Sequence, residues 1–104
     1  MIVTFDKEYL RELYETGKDN KKHRFQPEVI RKYQICIRYL LGASDIHSLF
    51  AVRSLNYEVL KGDKAGISSI RVNKQYRIEF TVTEQDSEPV VTICNVLELS
   101  NHYK

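Results

Sequence analysis

The sequence has no apolar run approaching the roughly 18 residues needed to span a bilayer, which excludes a chain threaded through a membrane by helices. Its first residues, Met1-Ile2-Val3-Thr4-Phe5-Asp6, place no basic segment ahead of a long apolar stretch. A secretory leader is therefore not expected, and the cytoplasm is the expected compartment. Cysteine is scarce: Cys36 and Cys94 are the only two, neither in a Cys-x-x-Cys pair and both among apolar neighbours. They read as buried free thiols, because a reducing cytosol disfavours a disulfide. The three histidines, His23, His47 and His102, lack the spacing of a metal-ligand set, so neither a metal nor another cofactor is expected. No repeat, linker or low-complexity segment divides the 104 residues, which suit one domain spanning 1–104. A large charge imbalance is missing too: 16 basic and 14 acidic residues leave a net +2, too little to identify a nucleic-acid partner.

What is present is enough apolar material, 42% of residues, for a packed core. Ile2 to Phe5 reads as a short strand. Asp6 is placed to cap a following helix, with Phe5 and Leu10 spaced as a hydrophobic staple. Leu10, Leu13 and Tyr14 form that helix's apolar face, and Gly17 marks its end. The basic stretch Lys18 to Arg24 reads as a loop. Pro27 suits the first turn of a second helix, through which Ile30, Tyr33, Ile37, Leu40 and Leu41 recur at helical spacing up to Gly42. Ser44 is placed to cap a brief turn containing Ile46 and Leu49.

Beyond this point the period changes to two. Leu55, Tyr57 and Val59 alternate with polar residues, as do Tyr76, Ile78, Phe80 and Val82. Ile70 and Val72 end a strand, Asn73 to Gln75 make a hairpin loop, and Val90 to Leu99 reads as a more central strand. A strand, two helices and then consecutive strands imply an α+β fold, with the helices packed on a mainly antiparallel sheet.

Charge is distributed unevenly. Lys18, Lys21, Lys22, His23, Arg24, Arg31 and Lys32 cluster early, and Lys61, Lys64, Arg71, Lys74 and Arg77 cluster later. Alternation sends Arg71 and Arg77 to one face of a hairpin, away from Ile70 and Ile78, and turns Glu58 outward as well. A cross-strand ion-pair ladder, worth about 0.2–1 kcal/mol per pair, accounts for such a face without any partner.

The stretch beginning Leu60-Lys61-Gly62-Asp63 shifts that balance. With Gly66, Ser69-Ile70-Arg71-Val72-Asn73, Tyr76-Arg77-Ile78 and Phe80, it resembles the LKGD–G–SIRVN–WRI–F block of HigB-type toxins. These are the plasmid-maintenance killer proteins of the RelE superfamily. Tyr76 stands where that block has tryptophan. Ile2 to Phe5 and Asn101 to Lys104 also resemble the family's termini, so the likeness runs along nearly the whole chain. Two departures stand out. Glu58 replaces a frequent histidine, and Asn101-His102-Tyr103 replaces Asp-Tyr-His, with the aromatic and imidazole in the opposite order.

The resemblance implies a compact RelE-like fold and a metal-independent endoribonuclease. It would cleave messenger RNA in the decoding site of a translating ribosome. It also implies a HigA-like antitoxin with a helix-turn-helix domain, through which alone operator DNA would be met. RNA carries its own nucleophile in the 2′-hydroxyl, so the protein must orient the strand, move protons and stabilise phosphate charge. Arg71 is the best candidate for a bidentate phosphate contact, with Lys61 and Arg77 adding positive charge. His102 is suited to proton transfer, while Tyr103 is able to donate a proton or stack on a base. Lys61 is also able to depress the pKa of an acid–base neighbour, and Glu58 is either a base or an ion-pair partner. Lys64, Lys74, Lys22 and Arg24 are the further expected RNA contacts. Two readings compete: an RNA- or ribosome-binding module without catalysis, and a protein whose charged face only meets its antitoxin.

Overall fold

The change of period from helical to alternating is realised in a computed structural model that describes residues 1–19 and 23–101. In chain order the elements are β1 (Ile2–Phe5), α1 (Glu8–Thr16), α2 (Pro27–Gly42), α3 (His47–Phe50), β2 (Glu58–Val59), β3 (Ser68–Arg71), β4 (Tyr76–Gln85) and β5 (Val91–Asn101). The sheet runs β1-β5-β4-β3-β2, with β1 parallel to β5 and every other pairing antiparallel. The expected α+β architecture holds, and the strand expected from Val90 to Leu99 is β5, which starts at Val91 and lies between β4 and β1, the latter pairing with it over Ile93 to Val96.

The start of α1 departs from expectation. Lys7, not Asp6, is the capping residue, and no side chain bonds the first turn. The Asp6 amide instead donates to Val96 O at 2.8 Å, which prolongs the β1–β5 pairing through the position a cap would occupy. Gly17 closes the helix as expected, with its amide on Leu13 O.

In α2, Pro27 occupies the first turn and Val29, Tyr33, Cys36, Ile37 and Leu40 are buried. Leu41, expected in the same stripe, is 43% exposed because it lies one residue around the helix from Leu40. The Tyr33 hydroxyl reaches across to donate to Leu10 O at 2.8 Å, so the buried phenol is satisfied and α1 is pinned to α2. Asp45, rather than Ser44, binds the first turn of α3, accepting from the Ser48 amide at 3.1 Å.

The run Leu55 to Val59 is not one strand. Arg53–Leu55 form a 3₁₀ turn, and Asn56 adopts a left-handed conformation that only Glu58–Val59 follow with pairing. Alternation is the same in a turn–strand junction as in a strand, so the pattern could not separate them. Asn tolerates positive φ better than other residues with a Cβ.

The core lies between the helices and one sheet face, where Ile70, Ile78, Phe80, Val96 and Leu99 meet Leu10, Leu13, Tyr33, Ile37 and Leu40. Cys36 and Cys94 sit within it as free thiols, and burial pushes each thiol up to about 11. Both should therefore resist a disulfide reagent such as DTNB at pH 8 in the native protein and react fully in denaturant. Because their folded values are raised, the thiols favour the fold below the ordinary thiol range and lose that contribution as pH rises toward 11. Native labelling at the rate of a free cysteine would contradict this packing.

Candidate nucleic-acid interface on the second face of the sheet

The register makes Arg71 face Arg77, Glu58 face Ser69, Ser69 face Glu79, and Arg77 face Ser100. These side chains leave the sheet opposite to Ile70, Ile78 and Leu99, so Glu58, Arg71 and Arg77 share a face as expected. Glu98, opposite Glu79, joins the same face just before a bulge interrupts the β4–β5 register.

Sharing a face does not mean equal exposure. Arg77, expected to point outward, is only 7% exposed. Its Nε donates to Ser69 Oγ and its Nη2 to Asn56 O at 2.9 Å, while Glu58 Oε1 lies 3.9 Å from Nη2. The left-handed Asn56 aims that carbonyl down onto the sheet. The chain between Asn56 and Lys64 thus roofs the guanidinium. A buried cation is tolerated when bonded this way and is costly when its partners are removed.

Arg71, the strand neighbour of Arg77, is exposed. β2 pairs only with Ser68 and Ser69, so the sheet edge at Arg71 is uncovered. The Arg71 Nε donates to Asn73 O at 3.2 Å, and Asn73 Oδ1 accepts from the Gln75 and Tyr76 amides at 2.8 and 2.7 Å. That side-chain turn stiffens the hairpin which holds Arg71.

The Lys61 to Gly66 loop folds back over the sheet because Gly62 and Gly66 take φ of 71° and 86°, with the Leu60 amide on Ile67 O. Lys64 is thereby brought to Glu79, its Nζ 3.1 and 2.9 Å from the two carboxylate oxygens. The bond to Glu79 raises the Lys64 pKa against the opposing effect of burial, helped by the charges of Glu79 and Glu98. Lys64, expected as an RNA contact, is engaged in neutralising these opposed glutamates. Since Lys64 is half exposed, the pair contributes modestly to stability.

Two hollows flank this face. One of about 380 Å³ is lined by Lys61, Asp63, Lys64, Arg77, Glu79 and Asn101, together with Leu60 and Ser100. The other, about 570 Å³, holds Arg71 and Lys74 together with Lys32 and Ser54. Arg24 is exposed, next to Phe25, whose ring meets Tyr76 edge-on at 5.5 Å. Lys22, His102 and Tyr103 lie outside the described residues. Asn101, which immediately precedes His102, lines the first hollow. Among the described residues no group of His, Cys, Asp and Glu is placed to hold a metal, and no helix is long and apolar enough to cross a membrane. A largely apolar hollow between α2 and α3, about 390 Å³, is lined by Ile35, Tyr39, Leu49 and Val52, with Arg38 and Ser48 as its polar groups, and none of the expected site residues reaches it. Ser69, Glu79, Ser100 and Asn56 were not singled out from sequence, although the first two share the alternation of Arg71 and Arg77.

Helices packed on one face of a five-stranded mixed sheet make a RelE-like toxin fold. A YoeB/ParE toxin from Agrobacterium tumefaciens shares it, with a TM-score of 0.56 over 99% of this chain and 100% of that one at 21% identity. The family described as the RelE-like toxin of type II toxin-antitoxin system HigB matches residues 3–92. Toxin HigB-1 of Vibrio cholerae serotype O1 (strain ATCC 39315 / El Tor Inaba N16961) is 36% identical over 81 residues, covering 77% of this chain and 82% of the relative. The chain belongs to this HigB family of type II toxins, and an antitoxin is accordingly its partner.

The two facing arginines should behave oppositely when truncated. Arg77→Ala removes a bonded, buried charge and should destabilise the fold by about 2–3 kcal/mol, lowering Tm by roughly 10 °C or more for a domain of this size. Arg71→Ala should leave Tm within a degree or two. Thermal melts of both variants check this, and equal losses would contradict the burial difference.

Proposed function

We propose that this toxin is a metal-independent endoribonuclease that cuts messenger RNA on translating ribosomes in the cytoplasm. A HigA-like helix-turn-helix antitoxin neutralises it and carries the complex to operator DNA. The observation that carries the catalytic reading is the facing pair Arg71 and Arg77, one free to meet a ligand and one locked beneath, with Lys61 and Glu58 on the same face.

The reaction requires no metal to supply a nucleophile. The 2′-oxygen bonds to the adjacent phosphorus and the bond from phosphorus to the 5′-oxygen breaks. A base takes the 2′-hydroxyl proton and an acid gives one to the departing 5′-oxygen. Glu58, His102 and Tyr103 are the acid–base candidates. Arg71 offers a planar fork to the phosphoryl oxygens as charge builds on them, and Lys61 adds a second cation. Arg77, with Nε and Nη2 already committed, serves mainly to position Glu58 and the strand that bears Arg71.

Expression of the chain alone should arrest growth through translation, and its antitoxin should relieve the arrest. For ribosome-bound message, Arg71→Ala should lower the cleavage rate about 100- to 1,000-fold with the fold intact. Arg71→Lys should recover part of that, keeping the charge without the fork. A folded Arg71→Ala protein cutting at the wild-type rate would remove Arg71 from the site. Ribosome binding with no cleavage by wild type would favour a non-catalytic binding module.

A further inference from the structure

The hollow at the tip of the β3–β4 hairpin is built from three separate parts of the chain: Lys32 of α2, Ser54 of the 3₁₀ turn, and Arg71 with the hairpin loop through Gln75. Three cations line it, and among the described residues of its wall there is no carboxylate. The carboxylate paired with one of them, Glu28, lies 3.9 Å from Lys32 Nζ, and with the two side chains 65% and 44% exposed at that long separation the pair is weak. The Arg71 fork beyond Nε makes no protein hydrogen bond among the described residues, and Lys74 is exposed at the turn. The neighbouring hollow differs: Lys61, Lys64 and Arg77 are offset there by Asp63 and Glu79. Among the described residues the unbalanced positive charge therefore sits at the hairpin tip, on the sheet edge that α2 meets. It is also held in place, since Asn73 fixes the loop through two amides and Arg71 through its carbonyl.

We propose that the hollow formed by Lys32, Arg71 and Lys74 is a second phosphate-binding site, which grips an RNA backbone next to the phosphate being cut. This rests on the nuclease reading for its RNA, and it assigns Lys32 a role that sequence did not suggest. Arg71 belongs to both places: its strand position faces Arg77, while its side chain lines the hairpin hollow. A strand held at the tip is thereby led onto the shared face. Oriented cations without matching carboxylates suit phosphodiesters, whose contacts supply sequence-independent affinity. An acidic protein segment fits less well. The one apolar residue in the wall, Val72, is buried, so the hollow offers no exposed apolar centre of the kind protein interfaces use.

The test uses Lys32→Gln/Lys74→Gln, with Lys74→Gln alone as a variant confined to the loop and Lys32→Arg/Lys74→Arg as the charge-keeping control. Binding is measured against salt for a 2′-O-methyl RNA oligonucleotide, which lacks the attacking hydroxyl, and for ribosomes carrying no message. Removing one lysine from a phosphate should flatten the slope of log K against log salt by about 0.7 on single-stranded RNA, so the double variant should lose roughly twice what Lys74→Gln loses. The arginine control should keep the wild-type slope. A flattened slope with the oligonucleotide assigns the grip to message, and one seen only with ribosomes assigns it to ribosomal RNA. Unchanged slopes on both overturn the proposal. So does intact RNA binding with lost antitoxin binding, which would give the hollow to a protein partner. Lysine-dependent slopes in a wild-type protein that never cleaves message would uphold this site while sinking the nuclease reading.

Discussion

A single guanidinium organises the second face of the sheet. Arg77 is buried there at 7% exposure, joined to Ser69 on β3, to Asn56 before β2, and lying 3.9 Å from Glu58. Burying a charge is unfavourable unless its partners stay in place, so each of these groups is constrained by the others. Asn56 must keep its left-handed turn to present its carbonyl. Glu58 is held toward the sheet although half its side chain is exposed. β3 is kept in register, and that register places Arg71 opposite Arg77. The apolar face stabilises the fold in the ordinary way, through the helices. The polar face depends on this one residue for its geometry.

Charge is divided between a hollow on this face and another at the hairpin tip, where α2 brings Lys32 from the helix side of the sheet. Beside Arg77 the cations and carboxylates nearly balance, and Lys64 is spent on Glu79 and the nearby charge of Glu98. At the hairpin tip they do not balance. A balanced site beside an unbalanced one suits a protein that must hold a polyanion while moving protons on it. On the proposed nuclease reading, the unbalanced charge would draw the strand in, and Glu58 on the shared face would be within the region where protons move.

Much of this was legible from alternation. Ile70 against Arg71, and Ile78 against Arg77, assigned faces correctly, because side-chain direction in a strand follows parity alone. Parity is silent on what lies above a face, so Arg77 reads as outward in the sequence although the chain from Asn56 to Lys64 covers it. Glu79 carries the same parity but looks like an ordinary surface acid. Its role depends on Lys64, which two glycines with positive φ deliver from fifteen residues away in sequence. Asp6 departs from its expected role for a related reason: a local capping signal is overridden by a strand pairing with Val96, distant in sequence. The LKGD–SIRVN block identified the family but could not locate Lys32, whose part comes from α2 meeting the hairpin tip.

If this face turns RNA's own 2′-oxygen against the neighbouring phosphorus, the fragments record it. Both ends of messenger RNA cut by purified toxin on ribosomes should be identified chemically. Upstream fragments should end in a 2′,3′-cyclic phosphate, or the 3′-phosphate it opens to, and downstream fragments should begin with a 5′-hydroxyl. Fragments with a 3′-hydroxyl and a 5′-phosphate would mean that another nucleophile had attacked, and would contradict the chemistry assigned to this face.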